Sequence, residues 1–180
     1  MYELTTARLG LKRMTPDEAP VFLTLNADPE VVKYTGDGPF ADEAAARAFL
    51  ERYQEVYQNE GYGRFSVYWL ETGECVGWCG LRYQTELGLP DLGYRLFRHW
   101  WGRGIATEAG AASLDYGFRT LGLARIVARA MSENVGSIRV MQKLGMRYWR
   151  EDVFEAHPAV LYEMDAAVWE KARENFFQKL

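Results

Sequence analysis

The segment that most limits what this chain can become is Trp101-Gly102-Arg103-Gly104-Ile105-Ala106-Thr107. It lies between an alternating run, Asp91 to Arg98, and a helical run, Ile105 to about Leu121, after which Arg125 to Met131 reads as another strand. Strand, helix and strand in that order predict a β-α-β crossover of two parallel strands. The glycines allow a sharp turn at the strand end, and the first N–H groups of the helix after them have no internal partners. Such a turn presents partial positive charge, which suits a phosphate or diphosphate.

Hairpins surround this crossover. Arg8 to Arg13 alternates around Leu9 and Leu11, and Thr15-Pro16-Asp17-Glu18 predicts a capping box that opens a helix through about Asn26. Asp28-Pro29 starts a second short helix, and Phe49, Leu50, Tyr53, Val56 and Tyr57 share one face of a third, which ends at Asn59-Glu60-Gly61. Arg64 to Leu70 and Val76 to Tyr83 flank a turn at Thr72-Gly73. Asn134 to Leu144 is a helix stopped by Gly145, with Met146 to Asp152 and Val160 to Asp165 as a last pair of strands before a final helix. The fold class is therefore α/β, a mixed sheet with hairpins around one parallel crossover. With no repeat or linker, residues 1–180 are expected to form a single domain. Trp69, Trp78, Trp149 and Trp169 sit in apolar periodic segments and are expected in the core, while His99 and Trp100 support the turn.

Composition excludes several classes. Met1 to Arg13 lacks the plan of a secretory signal and no run approaches the roughly 18 apolar residues of a membrane span, so a cytoplasmic protein is expected. Cys75 and Cys79 stand four apart in one extended segment, more than about 10 Å from each other, and read as reduced core thiols. With only His99 and His157 besides, no metal site is expected. The net charge is −4, from 21 basic and 25 acidic residues, a poor balance for nucleic-acid binding. Arg95 to Arg150, however, carries ten basic and three acidic residues (Glu108, Asp115, Glu133), or +7, leaving −11 elsewhere. That segment could hold a small polyanion, or be a plain solvated basic face, and the acidic remainder would steer a cationic partner.

Familiar nucleotide motifs fail on this turn. A dinucleotide fingerprint needs Gly or Ala where Thr107 stands and an acidic residue about 20 positions on, and none occurs between Tyr116 and Ser132. No Gly-Lys pair exists to form a P-loop. An ATP- or NAD-binding protein is thus a remote rival. Further along, Asn134-Val135-Gly136-Ser137 opens the next helix, and plain capping by Asn134 explains it locally. In a β-α-β unit, though, both helix starts reach one sheet edge, where ligands of α/β proteins generally bind.

Asp91-Leu92-Gly93-Tyr94-Arg95-Leu96, then Trp101 to Ala109, then Asn134-Val135-Gly136-Ser137-Ile138-Arg139-Val140-Met141-Gln142-Lys143-Leu144-Gly145-Met146, resemble in order and spacing the GNAT N-acetyltransferase superfamily, in particular its RimJ/RimL-like branch of ribosomal-protein N-terminal acetyltransferases. The resemblance implies a mostly antiparallel twisted sheet with helices on both faces. It also implies an acetyl-CoA-dependent N-acetyltransferase that acts by direct attack of a primary amine, either a protein N-terminus or a small molecule. It leaves the oligomeric state open, monomer or homodimer.

By the same analogy, Arg103, Gly104, Ile105, Ala106 and Thr107 hold the CoA diphosphate, with Arg103 and Arg139 as side-chain contacts. The strand edge at Leu96, Phe97 and Arg98 binds the pantetheine arm, and Asn134 is a pantetheine ligand or water holder. The superfamily's usual Gln or Arg is Trp101 here, which shifts phosphate binding onto the loop amides. Its usual acidic Tyr is Met141, so Ser137 is the substitute donor to the leaving sulfur. Asp91 is the first candidate for general base, with a solvated turn carboxylate after Pro90 as the plain alternative. Glu108 is expected only to complement the helix dipole. The loop Tyr34 to Phe40 borders the acceptor cleft in the analogy, or is a plain connector. The missing Tyr keeps a catalytically silent acyl-CoA sensor as the alternative.

Overall fold

Leu9 and Leu11, alternating with Gly10 and Lys12, bury one face of the second of eight strands. The computed structural model describes residues 1–178. The strands are β1 (Leu4–Thr5), β2 (Leu9–Arg13), β3 (Arg64–Trp69), β4 (Glu74–Gln84), β5 (Leu89–Leu96), β6 (Arg125–Met131), β7 (Arg147–Phe154) and β8 (His157–Asp165). The helices are α1 (Ala19–Ala27), α2 (Pro29–Val32), α3 (Glu43–Glu60), α4 (Ile105–Asp115), α5 (Val135–Lys143) and α6 (Ala166–Phe177). One sheet in the order β1-β2-β3-β4-β5-β6-β8-β7 contains them all, antiparallel except for β5 beside β6. That is the expected mixed sheet with one parallel crossover.

The parallel pair decides where a site can form. The β4–β5 ladder is continuous from Gly77↔Leu96 to Gln84↔Leu89, whereas β5 meets β6 at the single register point Asp91↔Val127. Beyond it the two strands diverge, and the sheet opens. Helices cover both faces. On one, α4 and α5 pack over Leu81, Leu92, Leu96 and Ile126; on the other, Phe22 and Leu25 of α1 and Leu50, Tyr53 and Tyr57 of α3 pack over Trp78. Helix α3 shows why: Ala46, Leu50, Tyr53 and Tyr57 recur at four- and three-residue spacing and are its buried residues. Its two tyrosine hydroxyls accept the N–H groups of Arg64 (3.0 Å) and Met14 (2.9 Å), so the helix also fixes the start of β3.

Several expectations are corrected in detail. Strand β5 starts at Leu89 and ends at Leu96, because Arg98–Trp100 form a 3-10 turn in which the Trp100 N–H donates to the Phe97 carbonyl at 2.9 Å. The helix after the glycine turn is α-helical only to Asp115 and continues as a π turn, Tyr116–Thr120. There Gly117 lies so close to Leu81 and Ile126 that a Cβ would overlap both. Trp169 and Trp78 are buried as expected, but Trp69 is only half-buried against the core, and Trp149 is half-exposed, with Arg125 and Arg150 over its ring at 5.8 and 4.9 Å. Cys79 is a core thiol and Cys75 only half-buried; both are unpaired with another sulfur, and burial pushes each thiol up to about 12. Among the described residues no helix is long and apolar enough to cross a membrane.

Candidate active site

The opening between β5 and β6 leads into a cavity of about 420 Å³. Side chains alternate across a strand, and contacts show which face each takes. Arg95 reaches Asn26 of α1, and Asp91 pairs with Arg64, so the odd-numbered residues of β5 face α1 and α3. Tyr94 donates its hydroxyl to the Ser137 carbonyl at 3.0 Å, so the even-numbered ones face α4 and α5. The cavity is lined from both faces: by Arg64, Trp78, Asp91 and Arg95 on one, and by Tyr94, Asn134, Ser137 and Met141 on the other. A larger cavity of about 560 Å³, between Leu4–Ala7 and Tyr116, holds none of the expected residues except Glu108.

Asp91 is not a solvated turn residue. It is 6% exposed, pairs with Arg64 at 3.4 Å and accepts the Arg129 N–H at 3.3 Å. That N–H lies just past the point where the parallel ladder stops, so the carboxylate takes over from the missing strand partner. Burial, the largest influence, raises its pKa, while Arg64 and Arg129 oppose the rise.

The glycine turn is built as a donor surface. Gly102 and Gly104 have φ of 75° and 78°, a region costly for side-chain-bearing residues, and Gly104 caps α4. Among the described residues, none of the N–H groups from Gly102 through Thr107 has an acceptor; the first engaged one is that of Glu108, bonded to the Gly104 carbonyl at 3.0 Å. Arg8 holds the turn from behind by donating to the Arg103 carbonyl at 3.1 Å. Trp101 has a role the sequence did not reveal: its indole N–H donates to the Leu96 carbonyl at 2.9 Å and locks the strand end to the turn.

Of the three strand-edge residues, the structure brings one to the opening. The Phe97 N–H donates to the Val76 carbonyl at 3.1 Å, toward β4. Main-chain groups alternate sides along a strand, so the Leu96 N–H points the other way, into the opening. Phe97 is thus engaged on the far side, and Arg98 lies in the 3-10 turn, ion-paired with Asp28 at 3.1 Å. Asn134 does cap α5, its carbonyl oxygen accepting the Ser137 N–H at 3.1 Å, and both residues line the cavity. Burial raises the Tyr94 pKa, which keeps its hydroxyl protonated.

Glu108 corrects an expectation. It is fully buried and accepts from Thr6 Oγ1 (2.6 Å), the Arg8 N–H (3.1 Å) and Arg8 Nε (2.7 Å), so it anchors the N-terminal strands to α4. The basic segment also resolves. Of its ten cations, Arg95, Arg98, Arg119, Arg125, Arg129, Arg147 and Arg150 are within 4.0 Å of carboxylates. Arg103, Arg139 and Lys143 have no such partner among the described residues, and they lie on the turn and on α5. Asp37, in the Tyr34–Phe40 loop, pairs with Arg95 at 2.7 Å, and Tyr34 also lines the cavity, so this loop is part of the cleft and more than a connector.

Comparison with known proteins gives the family. The profile of the acetyltransferase (GNAT) domain matches residues 8–147. An uncharacterized N-acetyltransferase, p20, of Bacillus licheniformis is 37% identical over 148 residues, covering 82% of this chain and 83% of that protein. The crystal structure of a GNAT-family acetyltransferase from Bacillus anthracis superposes with a TM-score of 0.77 at 25% identity, over 91% of this chain and 98% of that one. A ribosomal-protein-S5-alanine acetyltransferase from Vibrio fischeri shares the fold, with a TM-score of 0.78 at 16% identity over 92% of this chain and 97% of that one. By profile, sequence and fold, the chain belongs to the GNAT acetyltransferase family.

Proposed function

We propose that this protein transfers the acetyl group of acetyl-CoA to a primary amine in a ternary complex, and that it belongs with the RimJ/RimL-like branch whose motifs it carries. The observation that carries the reading is the row of unengaged N–H groups from Gly102 through Thr107, with Leu96 presenting its own N–H at the adjoining opening. Acetyl-CoA supplies a thioester and a thiol leaving group. The N–H groups of residues 103–107, with Arg103 and Arg139, suit its phosphates. The Leu96 N–H suits the thioester carbonyl and the negative charge that develops on its oxygen. Asp91, on the opposite face, takes the proton of the attacking amine, and Ser137 donates to the departing sulfur. Holding both reactants across one opening in the sheet contributes several kcal/mol through proximity.

The direct test is acetyl-CoA with an amine panel. Acetyl-CoA should raise the melting temperature, and thiol should be released above the hydrolysis rate with at least one amine. A raised melting temperature with no thiol release points to the acyl-CoA sensor. Gly104→Val should raise the acetyl-CoA KM about tenfold, because a branched side chain at φ 78° costs about 1–2 kcal/mol and displaces the turn. Arg103→Ala and Arg139→Ala should each raise that KM roughly 3- to 10-fold with kcat little changed, and the penalty should shrink in high salt. A salt-independent change would remove these side chains from phosphate binding.

A further inference from the structure

The acceptor half of the cleft carries charge that the reaction described above does not use. Arg64, Trp78 and Arg95 come from three neighbouring strands and share one face, with the guanidinium carbons 4.6 and 5.4 Å from the indole centroid. Arg95 is 8% exposed, and the Nε of each arginine is buried without a hydrogen-bond acceptor among the described residues. Their counter-charges are already committed or peripheral. Asp91 holds Arg64 at 3.4 Å and also accepts the Arg129 N–H. Asp37 holds Arg95 from the loop, with its own side chain 61% exposed. Asn26, the other partner of Arg95, offers a neutral oxygen. Arg82, over the Tyr53 ring at 6.0 Å, adds a third cation without a carboxylate partner among the described residues.

We infer that the acceptor is an amine that carries a carboxylate beside an apolar or aromatic body, an amino acid in the simplest case, with Arg95 and Arg64 selecting the carboxylate. This rests on the acetyltransferase reading and narrows its substrate class. Once Asp91 takes the proton of the amine it no longer neutralises Arg64, and a carboxylate on the substrate keeps that buried guanidinium paired. Guanidinium and carboxylate planes match in shape, and both arginines line the cavity with donor capacity that no acceptor among the described residues takes up. Phe22, Phe40, Phe49 and Tyr53 line the same cavity and offer a surface for the apolar body. At about 420 Å³ the cavity falls within the size range of small-molecule sites. Glu155, which also lines the cavity, complements the ammonium end of a zwitterion.

The test measures thiol release at saturating acetyl-CoA for matched acceptors. L-phenylalanine is compared with 2-phenylethylamine and L-phenylalaninamide, L-tryptophan with tryptamine, and L-leucine with 3-methylbutylamine, each corrected for its free-base fraction. We expect kcat/KM at least tenfold higher for a carboxylate-bearing member than for its carboxylate-free counterparts. Arg95→Gln should reduce that ratio to within about threefold, and Arg95→Lys should restore part of it. Titration of the preferred amino acid into the CoA-bound protein reads the same preference without turnover. Equal or better rates with the amines or the amide overturn the inference, as does thiol release from no amino acid while acetyl-CoA still raises the melting temperature. If acetyl-CoA fails to stabilise the protein at all, the parent reading falls first.

Discussion

Asp91→Asn is expected to lower kcat/KM for the acceptor by roughly 10²- to 10⁴-fold, the usual contribution of a positioned general base. The more discriminating result is the pH profile. An acceptor amine of pKa near 8–10 must arrive as the free base to attack, and Asp91 must be ionised to take the second proton, which the nitrogen sheds as the amide forms. Below both pKa values log kcat/KM should therefore rise with a slope of 2, falling to 1 between the carboxylate and the amine. The break should lie above the ordinary carboxylate range, because burial raises the Asp91 pKa. In the Asn variant only the slope of 1 remains.

Stability should move in the same window. A carboxyl whose pKa is raised in the folded state is held protonated more tightly there than in the unfolded chain. Its contribution is therefore fully present below the unfolded pKa and is lost as pH rises through the folded one. That descending step should vanish in Asp91→Asn, whose amide can still accept the Arg129 N–H. A rate within threefold of wild type, or a slope that stays at 2, would remove Asp91 from the proton path. It would leave the residue as the group that terminates the β5–β6 ladder.

Periodicity and turn chemistry carried most of the fold. Strand β6, the α3 face around Leu50, Tyr53 and Tyr57, and the Gly145 stop after α5 all follow from local patterns, because each is set within a few residues of itself. The crossover then placed the glycine turn and the Asn134 helix start at one sheet edge, so their shared position was legible too. What local patterns lack is distance in sequence. Asp91 reads equally as a turn carboxylate or a base until Arg64 and the Arg129 N–H, 27 and 38 residues away, are seen around it. Arg95 and Trp78 belong to ordinary-looking strands, and only the register Trp78↔Arg95 brings them together in the wall of the cavity. Trp149 fell in an alternating segment, but its strand lies at the sheet edge, where one flank has no neighbour. Tyr94 was part of the quoted motif, and the alternation that sends Arg95 to one face was itself enough to send Tyr94 to the other.

Glu108→Ala should destabilise the fold by about 2–3 kcal/mol, lowering the melting temperature by roughly 4–12 °C for a chain of this length. The carboxylate is fully buried and serves Thr6 and both the backbone and side chain of Arg8. Removing one partner of a fully buried pair costs more, about 3–5 kcal/mol, but the Arg8 side chain is 35% exposed and can recover some hydration, which sets the smaller figure. In a cycle with Arg8→Ala, the two changes should be non-additive by about 1 kcal/mol or more, since each removes the same contact. The pair also reaches the site. Arg8 bonds the Arg103 carbonyl at 3.1 Å, so the buried carboxylate aims the guanidinium that steadies the turn. Both single variants should therefore raise the acetyl-CoA KM, and the double variant should raise it no further than Arg8→Ala alone. If Glu108→Ala lowers the melting temperature while the KM stays at the wild-type value, the N-terminal strands stabilise the fold without shaping the turn, and the geometry of Gly102 and Gly104 must be set by Trp101 and α4 alone.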